Sequence, residues 1–108
     1  MKSINWHFRK NYRRKEGSTK SGGHPSLIIG ESDDGSKFLN LGLTRSKKRG
    51  HHTNIKIHNP QNWGKTSYLR DDISEDPKEY LKTVLSDFHL CPEDIDKILQ
   101  IIKKKNPH

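Results

Sequence analysis

Apolar residues are scarce in this chain, and their clustering limits what the chain can fold into. Of the 108 residues 28% are hydrophobic, and these residues concentrate in 27–43, 55–57 and 80–102. A chain of this length has room for one domain, because single domains most often contain roughly 100–150 residues. We therefore expect a single small domain over residues 24–108, with a core of modest stability. A partner protein, or a second copy in a homodimer, would complete so small a core.

The first apolar cluster has the pattern of a β-hairpin. Residues 27–29 form a short apolar run, and leucines alternate with other residues over 39–43. Between them lies Asp34-Gly35, a favoured pair for a type I′ turn. A hairpin is therefore predicted over Pro25–Thr44. Two further strands are predicted at Asn54–His58 and Thr66–Asp71, which gives a small antiparallel sheet.

The last third of the chain has helical periodicity. Asp76-Pro77 offers an N-cap acceptor followed by proline, which predicts a first helix through Phe88. A second helix is predicted to begin at Pro92 and to end near Lys105. The expected buried faces are Tyr80, Leu81, Val84, Leu85 and Phe88 in the first helix and Ile95, Ile98, Leu99 and Ile102 in the second. The predicted fold class is therefore α+β, a barrel-type sheet followed by two C-terminal helices.

The net charge of +8 is separated along the sequence. Residues 1–23 carry seven Lys/Arg and one acid, residues 44–70 carry seven and none, and the remainder is net acidic. This arrangement is typical of a domain that presents one face and one arm to nucleic acid. The predicted contacts are Arg9, Lys10, Arg13, Arg14 and Lys15 in the arm, and Arg45, Lys47, Lys48, Arg49, His51, His52 and Lys56 in the second stretch.

Residues 1–23 are expected to be a flexible basic arm and linker. Trp6, Phe8 and Tyr12 lie among the cations, and the segment ends in a Gly/Ser-rich stretch. Such an arm orders on RNA when rings stack on bases and guanidinium groups bind phosphates. The alternative is a solubilising tail whose aromatic residues pack on the domain.

Several function classes are disfavoured by what the sequence lacks. Cys91 is the single cysteine, which rules out an internal disulfide and a multi-cysteine zinc site and suits the reducing cytoplasm. Adjacent His51 and His52 would point to opposite faces of a strand, so no metal site is predicted. No nucleotide-binding glycine motif is present, and no cofactor is expected. No apolar run approaches the roughly 18–20 residues that span a bilayer.

Four segments in this order resemble the MazF/PemK-type toxin family. The segments are His24-Pro-Ser-Leu-Ile-Ile29, Leu41-Gly-Leu-Thr-Arg-Ser46, Thr66-Ser-Tyr-Leu-Arg-Asp71 and Leu90-Cys-Pro-Glu-Asp-Ile95. The resemblance implies an SH3-like barrel and an endoribonuclease of toxin–antitoxin type, with Thr44, Ser46, Arg70 and Asp71 near the RNA. It departs from the family in the missing opening strand and in a short loop after the first strand. The chain also resembles small uncharacterised proteins of bacterial mobile elements.

The residues at these positions are chemically sufficient for RNA cleavage without a metal. Such cleavage needs a base for the ribose 2′-OH, a cation for the crowded phosphorane and an acid for the departing oxygen. Arg70 would supply the cation, and Asp71, His24 or the histidines of 51–52 the base and acid. The alternative is that Arg70 and Asp71 form a surface ion pair and that Thr44 caps a turn.

The predicted function is therefore RNA binding, with metal-independent cleavage as its extension. The resemblance places RNA ahead of DNA as the partner, and the acidic helix faces argue against a DNA-recognition helix. A non-catalytic nucleic-acid-binding accessory protein of a mobile element stays open as an alternative. So does a basic docking protein for an acidic partner, such as an antitoxin.

Overall fold

The computed structural model describes residues 2–12 and 24–105, which form an α+β fold. The strands are β1 (Lys2–Asn11), β2 (His24–Glu31), β3 (Lys37–Thr44), β4 (Lys48–Arg49), β5 (His52–Thr53), β6 (Ile55–His58), β7 (Thr66–Leu69), β8 (Ser74–Pro77) and β9 (Thr83–Val84). One 3-10 turn covers Lys78–Tyr80, and the helix α1 covers Pro92–Lys105. None of the helices in these residues has the length and apolar character needed to cross a membrane.

Antiparallel pairing joins seven of the strands into one sheet. The order is β6-β7-β3-β2-β1-β9, with β8 also paired to β3, and β4 and β5 form a separate small hairpin. On one side β3 pairs with β2, and on the other it pairs with β8 and then, at its last two residues, with β7. Strand β3 is therefore central, and its end lies where three strands meet.

The core is divided between the two faces of the sheet. Adjacent residues of a strand point to opposite faces, and β2 is buried on both, as its continuous apolar run predicts. The larger cluster consists of Phe8, Leu27, Ile29, Leu41, Ile55, Ile57, Leu69, Ile98 and Ile102. The smaller cluster consists of Ile28, Phe38 and Leu81. The helix α1 contributes Ile98 and Ile102 to the larger cluster, whereas Ile95 and Leu99 are exposed.

The start of the chain is a strand, and the expectation of a basic N-terminal arm is wrong for residues 2–12. β1 pairs with β2 and, at its far end, with β9. Phe8 is fully buried in the core and Trp6 packs against it, so alternation of aromatic and charged residues reflects a half-buried strand. The remainder of the predicted arm and linker, 13–23, lies outside the described residues.

The predicted helix from Asp76 to Phe88 is also wrong, and one C-terminal helix is present instead of two. Pro77 is extended, with φ −55° and ψ 140°, and ends a strand paired to β3. The chain then crosses the sheet edge, so that Leu81 packs in the smaller cluster while Leu85 and Phe88 pack against the larger one. Residues that must reach opposite faces of a sheet cannot share one helical stripe.

The hairpin of β2 and β3 closes with a turn of a different type from the one predicted. Gly35 has φ 75°, and no described residue other than glycine has positive φ, so Asp34 does not adopt a type I′ conformation. Instead the Gly35 N–H donates to the Ser32 carbonyl at 2.9 Å, and a five-residue loop connects the strands. The Asp34 carboxylate accepts hydrogen bonds from the Ser36 N–H and from the Ser32 and Ser36 hydroxyls.

Candidate nucleic-acid site

A cleft of about 430 Å³ opens at the end of the sheet where β1 and β3 finish and β2 begins. Its lining combines basic and polar residues with the apolar residues Pro25, Leu43 and Phe88. The residues that line the cleft are Asn11, His24, Pro25, Ser26, Gly42, Leu43, Thr44, Arg45, Asn59, Gln61, Ser67, Arg70 and Phe88. Two arginines and a histidine face this space, and none of these described lining residues is acidic. The cleft therefore favours an anionic ligand.

Strand register brings the lining residues together from distant parts of the chain. Asn11 at the end of β1 lies opposite His24, and Ser26 lies opposite Gly42. The Arg70 N–H donates to the Gly42 carbonyl at 2.8 Å, which extends the β3–β7 ladder by one residue. A row of residues from four neighbouring strands thus ends at the same edge of the sheet.

Gly42 leaves space for the Arg70 side chain beside β3. A Cβ atom at position 42 would lie 3.3 Å from Arg70 Cδ and 3.4 Å from Nε, closer than ordinary van der Waals contact. Arg70 as a whole is half-buried and is one of the residues that line the cleft. A guanidinium group can bond two phosphate oxygens at once, which suits Arg70 to a phosphodiester.

The opposite wall is a loop that Asn59 organises. Its Oδ1 accepts the Gln61 and Asn62 N–H groups at 2.9 and 3.1 Å, and its Nδ2 donates to Ser67 Oγ at 2.9 Å. Gln61 is held in turn by Asp87, at 2.9 Å from its Nε2. This wall is therefore built before any ligand arrives, because its amides already have partners.

A buried carboxylate positions the Asn11 side of the cleft. Asp76 Oδ2 accepts hydrogen bonds from Asn11 Nδ2 at 3.0 Å, Asn40 Nδ2 at 2.9 Å and Ser74 Oγ at 3.0 Å. Asp76 is 7% exposed, and Asn40 is buried as well. Asp76 thus joins β1, β3 and β8 below the cleft, a structural role in place of the helix N-cap predicted for it.

The basic residues that follow β3 include a small hairpin, formed by β4 and β5. Gly50 has φ 58° and begins the two-residue turn between β4 and β5, a position that type II′ turns give to glycine. Asn54 is buried at its base and bonds the carbonyls of Lys47 and Ser46 at 2.8 and 2.9 Å. Residues 45–53, called here the basic hairpin, are therefore anchored to the sheet next to the cleft.

Three of the four predicted catalytic residues line the cleft. His24 is exposed there, Thr44 is half-buried, and Arg70 lies across β3. Asp71 is half-buried next to Arg70 but does not line the cleft. Thr44 Oγ1 accepts the Ser46 N–H at 3.2 Å, the turn cap that was its alternative role. Among the lining residues His24 is the one that carries an imidazole, a group able to take up or release a proton.

The predicted nucleic-acid contacts in the described residues lie in the basic hairpin, in β1 and, for Lys56, in β6. Arg45 lines the cleft, and Lys47, Lys48, His51 and Lys56 are exposed. Arg49 and His52 pair through their backbones, and their side chains lie outside what the structure describes. Arg13, Arg14 and Lys15 also lie outside the described residues.

Arg9 and Lys10 belong to β1. Arg9 makes internal contacts, since its Nε donates to His7 Nε2 at 2.7 Å and its Nη1 to the Leu81 carbonyl at 3.0 Å. Its guanidinium carbon also lies 4.8 Å from the centre of the Phe38 ring. Lys10 is half-buried, opposite Pro25 and Thr83. The nucleic-acid role of both residues stays a prediction.

No family model matches this sequence, and no curated protein matches it. The resemblance to the toxin family therefore stays a prediction, and the site has to be judged by its geometry. Sequence reasoning did not anticipate Asn11, Asn59, Gln61 or Phe88 in the cleft. The sequence Asn59-Pro60 indicates the end of a strand, and β6 does end at His58. It gives no sign that Asn59 lines a cleft.

Proposed function

We propose that the protein binds single-stranded RNA along a surface that runs from the basic hairpin into the cleft. The observation that carries this proposal is the meeting of Arg45, Arg70 and His24 in a cleft whose described lining has no acid. The guanidinium groups would hold phosphates, and Phe88 offers an aromatic surface beside them. A cleft of this size suits a splayed nucleotide and not a duplex, which supports RNA in single-stranded form.

The binding test compares charged residues inside and outside this surface. We expect Arg70→Ala to weaken binding of a fluorescent single-stranded RNA by about tenfold or more, because a hydrogen bond to a charged group is worth about 1.5–3 kcal/mol. Lys103→Ala removes an exposed cation from α1 and is the matched control. Fluorescence anisotropy at low salt measures both, and equal affinities for the two variants would contradict the proposal.

A second candidate function is RNA cleavage in the same cleft, favoured by the placement of His24, Thr44 and Arg70 along one lining. His24 would take the proton of the 2′-OH, and the 2′ oxygen would bond to phosphorus while Arg70 stabilises the phosphorane. The bond from phosphorus to the 5′ oxygen would break, and that oxygen would take a proton from solvent. The products are a 2′,3′-cyclic phosphate and a 5′-hydroxyl end.

Cleavage and binding separate in one experiment. RNA incubated with the protein and a chelator is run on a denaturing gel, with wild type, His24→Gln and Arg70→Lys in parallel lanes. Fragments ending in cyclic phosphate, absent for His24→Gln, would support cleavage. Bound but intact RNA would leave the accessory, non-catalytic binding function. Absence of RNA binding, together with co-purification of one stoichiometric acidic protein, would favour a docking function such as antitoxin binding.

We place this function in the cytoplasm. The support is the lone thiol of Cys91, which suits a reducing compartment. RNA is also the polyanion that such a compartment supplies in quantity.

A further inference from the structure

Three metal-ligating side chains meet where β6 ends and α1 begins. A ring nitrogen of His58, Sγ of Cys91 and a carboxylate oxygen of Glu93 all lie within 4.8 Å of one another. His58 ends β6, while Cys91 and Glu93 flank Pro92 at the start of α1. The cluster is outside the cleft, since none of its three members lines that space.

A fourth residue orients the histidine for metal binding. Asp94 is 1% exposed, and its Oδ2 lies 3.1 Å from His58 Nδ1 and accepts the His58 backbone N–H at 2.8 Å. Nε2 is then the ring nitrogen left for a metal. A carboxylate on the remote nitrogen is the usual outer partner of a metal-bound histidine, because it fixes both ring orientation and tautomer.

The donor set selects the kind of ion. A thiolate, an imidazole and one carboxylate suit zinc, whereas magnesium and calcium prefer oxygen ligands alone. Ligand atoms around a tetrahedral zinc lie roughly 3.5 Å apart, given bond lengths of about 2.0–2.3 Å. The three ligand atoms lie within 4.8 Å of one another, so they would have to move closer to hold zinc, and Glu93 is exposed at the surface.

Access and backbone environment also suit an ion here. Cys91 is 7% exposed, but the His58 side chain is 42% exposed, so the cluster is reached from solvent. Cys91 precedes the first turn of α1, and its carbonyl accepts the Asp94 N–H at 2.9 Å. The Cys91 backbone is therefore fixed at the start of α1.

We propose that His58, Cys91 and Glu93 form a zinc-binding site, with Asp94 as the positioning residue for the imidazole and water completing the coordination. A bound ion would tie the end of β6 to the start of α1. Because His58 directly precedes Asn59, the ion would also fix the base of the loop that begins there. That loop is already joined to the segment before α1 by the hydrogen bond from the His89 N–H to the Pro60 carbonyl at 3.1 Å. The proposed site does not depend on whether the cleft binds RNA, because none of its three ligand residues lines the cleft.

The test is titration of the chelator-treated full chain with zinc chloride, followed by isothermal calorimetry. We expect one zinc per chain with micromolar or tighter affinity, weakened at least tenfold by Glu93→Gln and by Cys91→Ser. Glu93 is exposed, so its variant keeps the fold and the test stays decisive if Cys91→Ser is unstable. Asp96→Asn, an exposed acid of the same helix, is the control.

Cobalt substitution identifies the ligands directly. The Co²⁺-loaded wild type should show a thiolate-to-cobalt charge-transfer band that Cys91→Ser lacks. Zinc should also raise the thermal unfolding midpoint of the wild type and leave that of Cys91→Ser unchanged. Affinity weaker than micromolar for the wild type, or zinc binding that either Glu93→Gln or Cys91→Ser retains in full, would overturn the proposal.

Discussion

The position of the Arg70 side chain depends on residue 42 being glycine, which has no side chain. The stem of Arg70 crosses β3 where a Cβ would approach it to 3.3 Å. Gly42 does not have a positive φ, so glycine is not needed there for its backbone conformation. It is needed because the Arg70 side chain approaches the backbone of β3 closely at this position. A methyl group there would displace the guanidinium without changing its charge.

Gly42→Ala should therefore weaken RNA binding while leaving stability the same or higher. Alanine in a strand is favoured over glycine by roughly 0.5–1 kcal/mol, so the loss of affinity would not come from unfolding. Anisotropy and urea denaturation measure the two effects. In an Arg70→Ala background the Gly42→Ala change should have no further effect on affinity, and an additive loss would show that the two residues act separately.

At the same scale, the site was predictable from the sequence only where charge marked it. Arg70, Arg45 and His24 carry groups that nucleic-acid chemistry needs, and the cleft contains all three. Asn11 and Asn59 carry no such mark. The place of Asn11 follows from the pairing of β1 with β2. The place of Asn59 follows from a loop organised by hydrogen bonds of its own side chain, which the sequence pattern does not show.

At the scale of elements, residues 78–88 show how packing overrides local pattern. The spacing of Leu81, Leu85 and Phe88 is helical, and Asp76-Pro77 is a good helix start, so the sequence favours a helix. Instead, the carboxylate of Asp76 accepts hydrogen bonds from Asn11 and Asn40, which are buried, and from Ser74, which is half-buried. The second predicted helix is present as α1, whose buried residues Ile98 and Ile102 both pack in the larger cluster. The hairpin of β2 and β3 was predictable because it joins neighbouring segments of the chain through a short loop.

Residues 78–88, which cross the edge of the sheet, can be tested with two residues that would both be buried if this segment were a helix. Leu81 is fully buried, whereas Val84 in β9 is 51% exposed. We expect Leu81→Ala to lower the free energy of unfolding by about 2–5 kcal/mol. Val84→Ala should change it by about 0.5 kcal/mol or less. Urea denaturation checks both, and similar losses for the two variants would contradict this arrangement.

The turn between β2 and β3 should contribute a pH-dependent element of stability. The Ser36 N–H holds the pKa of Asp34 well below its ordinary value of 3.8, and the hydroxyls of Ser32 and Ser36 lower it further. A carboxyl whose pKa is lower in the folded state stabilises the fold above its unfolded pKa, and this contribution is lost as pH falls through the folded value.

Asp34→Asn keeps the shape of the side chain and removes its charge, so it isolates this effect. We expect the wild type to be more stable than the variant near neutral pH, with the difference narrowing as pH falls below about 3.8. Urea denaturation midpoints across this range measure it. A difference that stays constant down to the lowest pH would mean that the charge of Asp34 does not act in the turn.

At the scale of the whole molecule, basic and acidic residues are concentrated in different segments of the chain. Residues 44–70 contain seven Lys/Arg and no acid, whereas nine of the 13 acids lie in 71–96. The cleft and the basic hairpin draw their cations from the first of these segments, and α1 begins in the second. A polyanion should therefore approach the hairpin side of the molecule first.

The salt dependence of RNA binding measures how many of these cations act. If Arg45, Lys47, Lys48 and Arg70 each neutralise one phosphate, the logarithm of the binding constant should fall with the logarithm of salt concentration with a slope of about −3. Removing the exposed lysines in Lys47→Ala/Lys48→Ala should bring that slope to about −1.4. Lys103→Ala/Lys104→Ala removes the same charge from α1 and should leave the slope unchanged. Equal changes in slope for both double variants would mean that RNA responds to net charge alone, and the basic hairpin would then have no special part in binding.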